Sequence, residues 1–353
     1  MNAAEVFAFD RSKLDWPLGV ALAVALVLPL VVLAALDRDV YWLSLSFGVL
    51  LCGLSDPGGS LRTRYSHLGV FALVGAVLTL WGTWVGAEAW GLVAASTLVV
   101  VFASGLVIRF GVHRFIAGAM LATWFLIAIS LPPGFAADGV TLHPWWQAVA
   151  WLVGAALWIV TTFVLWLVRG RVPHPQPVAE LPSDTTITHL SRPVVLYAGL
   201  RAVAVAGAVA VAFGFDLPYA DWMPVAALVA MKPTLRQSAV VATQRFLGTV
   251  LGAALAIVLL LAIDDVHALE VILVVLVVVA GALRPANYAL YSTAVAGAVL
   301  IGLDLPDPGD FATEGRRVLF TLAGVVIALA VMGLAGLLAR RGSPRPAGTP
   351  ATV

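Results

Sequence analysis

Charge is what this sequence has least of. Only 11% of its 353 residues are Asp, Glu, Lys or Arg, while 61% are hydrophobic; a soluble domain carries about 25% charged residues. With a mean hydropathy of +1.01, the chain reads as an all-α polytopic membrane protein. Cysteine is almost absent: Cys52 stands alone, which excludes a disulfide framework and a thiolate metal site. The six histidines include no His-x-x-x-His pair, and no glycine loop precedes a Lys-Ser/Thr. Neither a histidine metal centre nor an ATP-binding loop is therefore expected. No cofactor, metal or catalytic constellation follows from the residues, and a net charge of +1 gives no reason to look for a nucleic-acid partner.

What is present is apolar sequence in long runs. Windows of about 20 residues predict twelve transmembrane helices. The first six lie near 15–36, 40–55, 67–88, 90–108, 113–131 and 144–168; the second six near 194–215, 221–242, 245–263, 268–283, 287–303 and 316–338. The first run, Trp16 to Leu36, is too long for a signal sequence and reads as an uncleaved span. Sixteen of the 20 Lys and Arg fall in loops on the side of the N-terminus. Arg38, Arg316 and Arg317 fall on the other side, and Arg201 lies within a span. The positive-inside rule then puts both termini in the cytoplasm. Trp90, Trp145, Trp146 and Trp222 mark outer boundaries, as interfacial aromatics do.

The expected organisation is a six-span half over 1–168, a Pro-rich cytoplasmic linker over 169–193, a second six-span half over 194–341 and a disordered tail over 342–353. The halves echo each other. Tyr41-Trp42 opens the second span and Asp221-Trp222 the eighth; Asp56-Pro57 ends one and Lys232-Pro233 the other. Six spans per half give both the same orientation, hence two parallel six-helix repeats. Proline removes a backbone donor and turns the preceding residue out of helical geometry. The segments Val40 to Gly59 and Asp221 to Thr243 thus read as interrupted spans at matching positions, the sequence pointer to a transporter's substrate site. The reading places a polar turn at Thr234, Arg236, Gln237 and Ser238, after which Arg245 leads into the ninth span.

Lys232, Arg236 and Arg245 surround the second break. An organic carboxylate needs a fixed cation in place of its water, and Arg binds it bidentately; the same three residues would equally serve as positive-inside loop charges. Arg201 is a further candidate for that carboxylate, or else a snorkelling arginine. Asn287, with Tyr288 and Tyr291, follows a second polar break at Arg284-Pro285 and can bond an aromatic acid or anchor the interface. Asp56 is the candidate for proton coupling; alternatively it pairs with Lys232, Arg62 or Arg64, or begins the Asp-Pro-Gly-Gly turn. Gly248-x-x-x-Gly252 and Gly82-x-x-x-Gly86 permit close helix approach.

Lys232-Pro-Thr-x-Arg236 followed by Arg245-x-x-Gly248-Thr249-x-x-Gly252 resembles the signature of the fusaric-acid-resistance and aromatic-acid-exporter superfamily. That integral-membrane transporter domain is also related to plant malate-permeable anion channels. Arg317-x-x-x-Thr321-x-x-Gly324 is similar to the domain's last span, and the resemblance is strongest over Arg192 to Arg341. It implies an inner-membrane exporter of aromatic or other organic acids, driven by the proton gradient and often a homodimer. The first half departs from the pattern, with His67-Leu-Gly69 in place of Arg-x-x-Gly-Thr. An organic-anion channel on the same fold is the alternative, and a membrane enzyme or scaffold subunit a second. The expected partners are a small organic anion and the lipid bilayer.

Overall fold

The computed structural model describes residues 9, 11–36, 38–137, 139–171, 190–218, 221–231, 235–263, 265–284, 286–304 and 311–342. Most of the expected linker and nearly all of the expected tail lie outside them. Among the described residues there are twelve α-helices and no strand. The first half has α1 (Trp16–Ala35), α2 (Trp42–Ser55), α3 (Leu61–Val85), α4 (Trp90–Leu106), α5 (Val112–Ala137) and α6 (Pro144–Val168). The second has α7 (Arg192–Gly214), α8 (Trp222–Ala230), α9 (Leu235–Ala262), α10 (Val266–Leu283), α11 (Tyr288–Asp304) and α12 (Phe311–Gly342).

Among the described residues eight helices are long and apolar enough to cross a membrane; α2, α11 and the Phe246–Ala262 part of α9 are shorter apolar helices. Large side chains such as Val24 and Val31 on α1, Val70, Leu73 and Val77 on α3, and Leu196 and Val203 on α7 point outward. In water such a surface would aggregate; facing lipid it needs no partner. The chain is an all-helical, multi-pass membrane protein.

Several expected boundaries move: α3 begins at Leu61 rather than 67, α5 runs to Ala137 rather than 131, and the largest change is around the eighth span. The eighth span does not reach 242: α8 stops at Ala230, and α9 has begun by Leu235. Arg236, Gln237 and Ser238 therefore belong to the first turns of a 28-residue helix, not to a turn. Nine residues at about 1.5 Å each make α8 about 14 Å long, and the 14 residues of α2 reach about 21 Å. Both fall short of a hydrocarbon core of about 30 Å.

Small residues let the helices meet backbone to backbone. A Cβ at Gly48 of α2 would overlap the Trp151 carbonyl of α6, and one at Gly154 of α6 the Leu45 carbonyl of α2. In the second half, Gly324 of α12 lies as closely on the Met223 carbonyl of α8. Gly82 of α3 and Gly86, which caps it, abut Ala128 and Ile129 of α5, while Gly248 and Gly252 of α9 abut Ser292 and Thr293 of α11. Both glycine pairs thus make the close approaches their spacing permits.

The packing order follows. In the first half α1 packs on α2, α2 and α3 on α6, α3 on α5, and α4 on α5. In the second, α7 packs on α8, α8 and α9 on α12, α9 on α11, and α10 on α11. The halves are joined mainly by α4 against α7 and by α10 against α1, with α5 also packing on α8. The first half has an aromatic centre, where Trp124 stacks on Trp151 at 4.8 Å between ring centroids. The two indoles are tied by Nε1 donation to Thr79 Oγ1 (2.7 Å) and to the Ala72 carbonyl (3.1 Å).

Candidate functional site: arginines at the ends of two interrupted helices

A helix that stops inside a membrane protein leaves its last carbonyls without intrahelical donors and with a partial negative charge. At the end of α8 these carbonyls are taken up by α7. Tyr197 donates from its hydroxyl to the Met231 carbonyl at 3.0 Å, and Arg201 Nη2 to the Leu228 carbonyl at 3.3 Å. The two residues are one helical turn apart, so they share the face of α7 turned towards α8.

Arg201 is the tenth residue of α7, about 14 Å along it, and is 1% exposed. It does not snorkel. Nη1 donates to Ser104 Oγ on α4 at 3.4 Å, and that hydroxyl itself donates to the Val101 carbonyl at 2.8 Å. The guanidinium carbon stands 5.5 Å from the centre of the Phe115 ring on α5, within cation–π range. Nε has no hydrogen-bond partner among the described residues, and none of the ion pairs found among them involves Arg201. The result is a buried cation held by a helix end, a hydroxyl and an aromatic face. Its fork of N–H donors fits a carboxylate.

The end of α2 is arranged differently. Asp56 follows the last turn and is bound by Arg64 of α3: Nε reaches both carboxylate oxygens, at 2.8 and 3.0 Å, and Nη2 donates to Oδ2. Asp56 also accepts from the Gly58 amide at 3.0 Å, closing a turn in which Gly58 and Gly59 have φ of +64° and +77°. Asp56 therefore both begins the turn and pairs with Arg64, one of the partners considered for it. The last carbonyls of α2, those of Gly53 and Leu54, accept from Arg284, which follows α10 in the other half. At the opposite end of α2, Gln147 of α6 accepts from Ser44 Oγ (2.5 Å) and donates to the Val40 carbonyl (3.0 Å).

Of the other candidates, Lys232 lies outside the described residues. The backbones of Arg236 and Arg245 are on α9, but their side chains lie outside what is described. Asn287 is 7% exposed and caps α11, accepting from the Leu290 amide at 2.8 Å. Arg201 and Asp56 thus stand at the ends of two different interrupted helices. Sequence reasoning passed over Tyr197 and Ser104, and read Arg284 only as part of the polar break before Asn287. Tyr197 could have been found from its spacing to Arg201; Ser104 left no such local signal, nor did the partners of Arg284. Among the described residues no group of His, Cys, Asp and Glu could hold a metal ion.

Residues 203–331 match the family model for fusaric acid resistance protein-like domains, from α7 into α12. The match contains Arg236, Arg245 and Asn287 and begins two residues after Arg201. No curated protein and no solved structure matches the chain.

Proposed function

We propose that this chain is a twelve-span exporter of organic anions, aromatic carboxylates foremost, built as two parallel six-helix repeats with both termini in the cytoplasm. The observation that carries the reading is Arg201: a buried guanidinium at the end of an interrupted helix, with no acid against it among the described residues. A fixed cation inside a membrane protein is costly, and its usual use is to meet a charge on the substrate. The family match over 203–331 supports transport of the fusaric acid resistance type.

The repeat reading is supported by the packing order. Adding six to each helix number turns the pairs α2–α6, α3–α5, α3–α6 and α4–α5 into pairs that also pack. The joint α4–α7 turns into α10–α1 on the same rule, as a pseudo-twofold axis along the membrane normal requires. Lys232, Arg236 and Arg245 then form the positive cytoplasmic mouth that draws anions in. Coupling to protons runs through Asp56. A proton on its carboxylate cancels the charge that holds Arg64, so the turn after α2 is released when Asp56 is protonated and fixed when it is not.

The test is accumulation of a radiolabelled aromatic carboxylate such as benzoate in inverted proteoliposomes, with and without a pH gradient. Gradient-dependent accumulation that is lost in Arg201→Gln and loses its pH dependence in Asp56→Asn is expected. Single-channel currents with no coupling to the gradient would assign the fold to an anion channel instead.

A further inference from the structure

We propose that the transporter exchanges anions faster than it exports them, its substrate site returning about tenfold or more faster with a second anion in place of the first than empty. The inference rests on the reading that Arg201 takes the substrate carboxylate. Its basis is a difference between the two buried arginines. Arg64 has a counter-ion of its own in Asp56, while Arg201 has none among the described residues. The protein gives Arg201 two contacts at the long end of the hydrogen-bond range, 3.4 Å to Ser104 Oγ and 3.3 Å to the Leu228 carbonyl, together with the face of Phe115. A guanidinium has five N–H donors, and Nε is without a partner among the described residues.

Any carrier must close its site from both sides between one opening and the other. With a carboxylate on the guanidinium the closed site is a neutral, doubly hydrogen-bonded pair. Without one, a bare cation has to be enclosed among apolar helices, supported only by dipoles, and the penalty for that is large. The loaded passage is therefore the fast one in either direction, and the empty return is slower by about tenfold or more. The first half offers no second exchange site, because Asp56 already occupies the Arg64 fork. The returning species is any small carboxylate that fits the same fork. A monoanion crossing against a monoanion moves no net charge.

The experiment uses the full chain in proteoliposomes at about pH 8, where little benzoate passes as the neutral acid. The lumen holds radiolabelled benzoate, the bath either unlabelled benzoate or none, and potassium with valinomycin clamps the potential. Efflux is expected to be about tenfold or more faster with external benzoate, and indifferent to the sign of the clamp. Efflux at one rate in both baths, or efflux that follows the clamp, overturns exchange and leaves export standing. No flux in any arm removes export of aromatic carboxylates and exchange together. Ser104→Asp puts a fixed carboxylate where the hydroxyl meets Arg201, and should abolish exchange in a chain that still inserts and remains monodisperse. Arg201→Lys keeps the charge without the fork, and should raise the KM for benzoate about tenfold with acceleration by external benzoate retained. Wild-type exchange in Ser104→Asp, or an unchanged KM in Arg201→Lys, overturns the role of Arg201.

Discussion

Arg64 grips Asp56 through both carboxylate oxygens, across eight residues and one proline turn, with the arginine 1% and the aspartate 8% exposed. The pair pins the start of α3 to the point where α2 stops. A buried pair of this kind contributes less by its own attraction than by the damage done when one partner is lost.

Asp56→Asn should therefore destabilise the protein by about 3–5 kcal/mol, because it leaves a buried guanidinium without its charge. Adding Arg64→Met should recover most of the loss. Thermal unfolding of the purified protein in detergent measures both. A double variant no more stable than Asp56→Asn would mean that the turn, rather than the pair, is what matters.

The helix crossings make a second prediction. Gly154→Val and Gly324→Val each force a side chain onto a facing carbonyl, of Leu45 or of Met223, and overpacking of this type costs about 1–3 kcal/mol. Gly199→Ala and Gly207→Ala on α7 meet nothing within 4 Å and should be neutral or slightly stabilising, since alanine favours a helix. If all four variants melt alike, the crossings are not where the stability lies.

Asn287 separates a cap from a ligand. As the cap of α11, its replacement by Ala should cost about 1 kcal/mol, whereas Asn287→Asp should keep the cap. Benzoate flux per folded molecule is expected to survive both changes. A loss of flux in the well-folded Asp variant would return Asn287 to the substrate path.

Lys232→Ala and Arg245→Ala are expected to abolish anion flux while leaving expression and insertion intact, as befits a mouth that concentrates anions. Initial rates at several ionic strengths provide the check, because attraction at the mouth is screened by salt. Wild-type rates in both variants would reduce these residues to determinants of topology.

Most of the helical plan was legible because hydropathy over about 20 residues is a strong signal in lipid. The stop of α8 was legible too, announced by Lys232-Pro233. The start of α9 was not. Arg236, Gln237 and Ser238 look like loop by composition, yet polar residues in a first turn do not stop a helix that continues to Ala262. Asp56 with Arg64 was within reach of sequence reasoning, because eight residues around a Pro-Gly-Gly turn can only double back. Arg201 was flagged by its charge, but its surroundings depend on Ser104, 97 positions away. Arg284 takes the carbonyl of Gly53 from 231 positions away. Such pairings are fixed by how the two halves dock, which no local pattern records.

The α4–α7 and α10–α1 seams between the halves each have one point where small residues bring two backbones together. Gly105 of α4 lies against Ala198 of α7, and Gly281 of α10 against Gly19 of α1. Away from its small-residue point, the α4–α7 seam is filled by branched side chains, with Val93, Val100 and Val101 of α4 and Val205 and Val209 of α7 in one buried cluster. Each seam has a guanidinium stationed beside it, Arg201 or Arg284, already holding the end of an interrupted helix. Slippage along a seam would be felt first at a helix end.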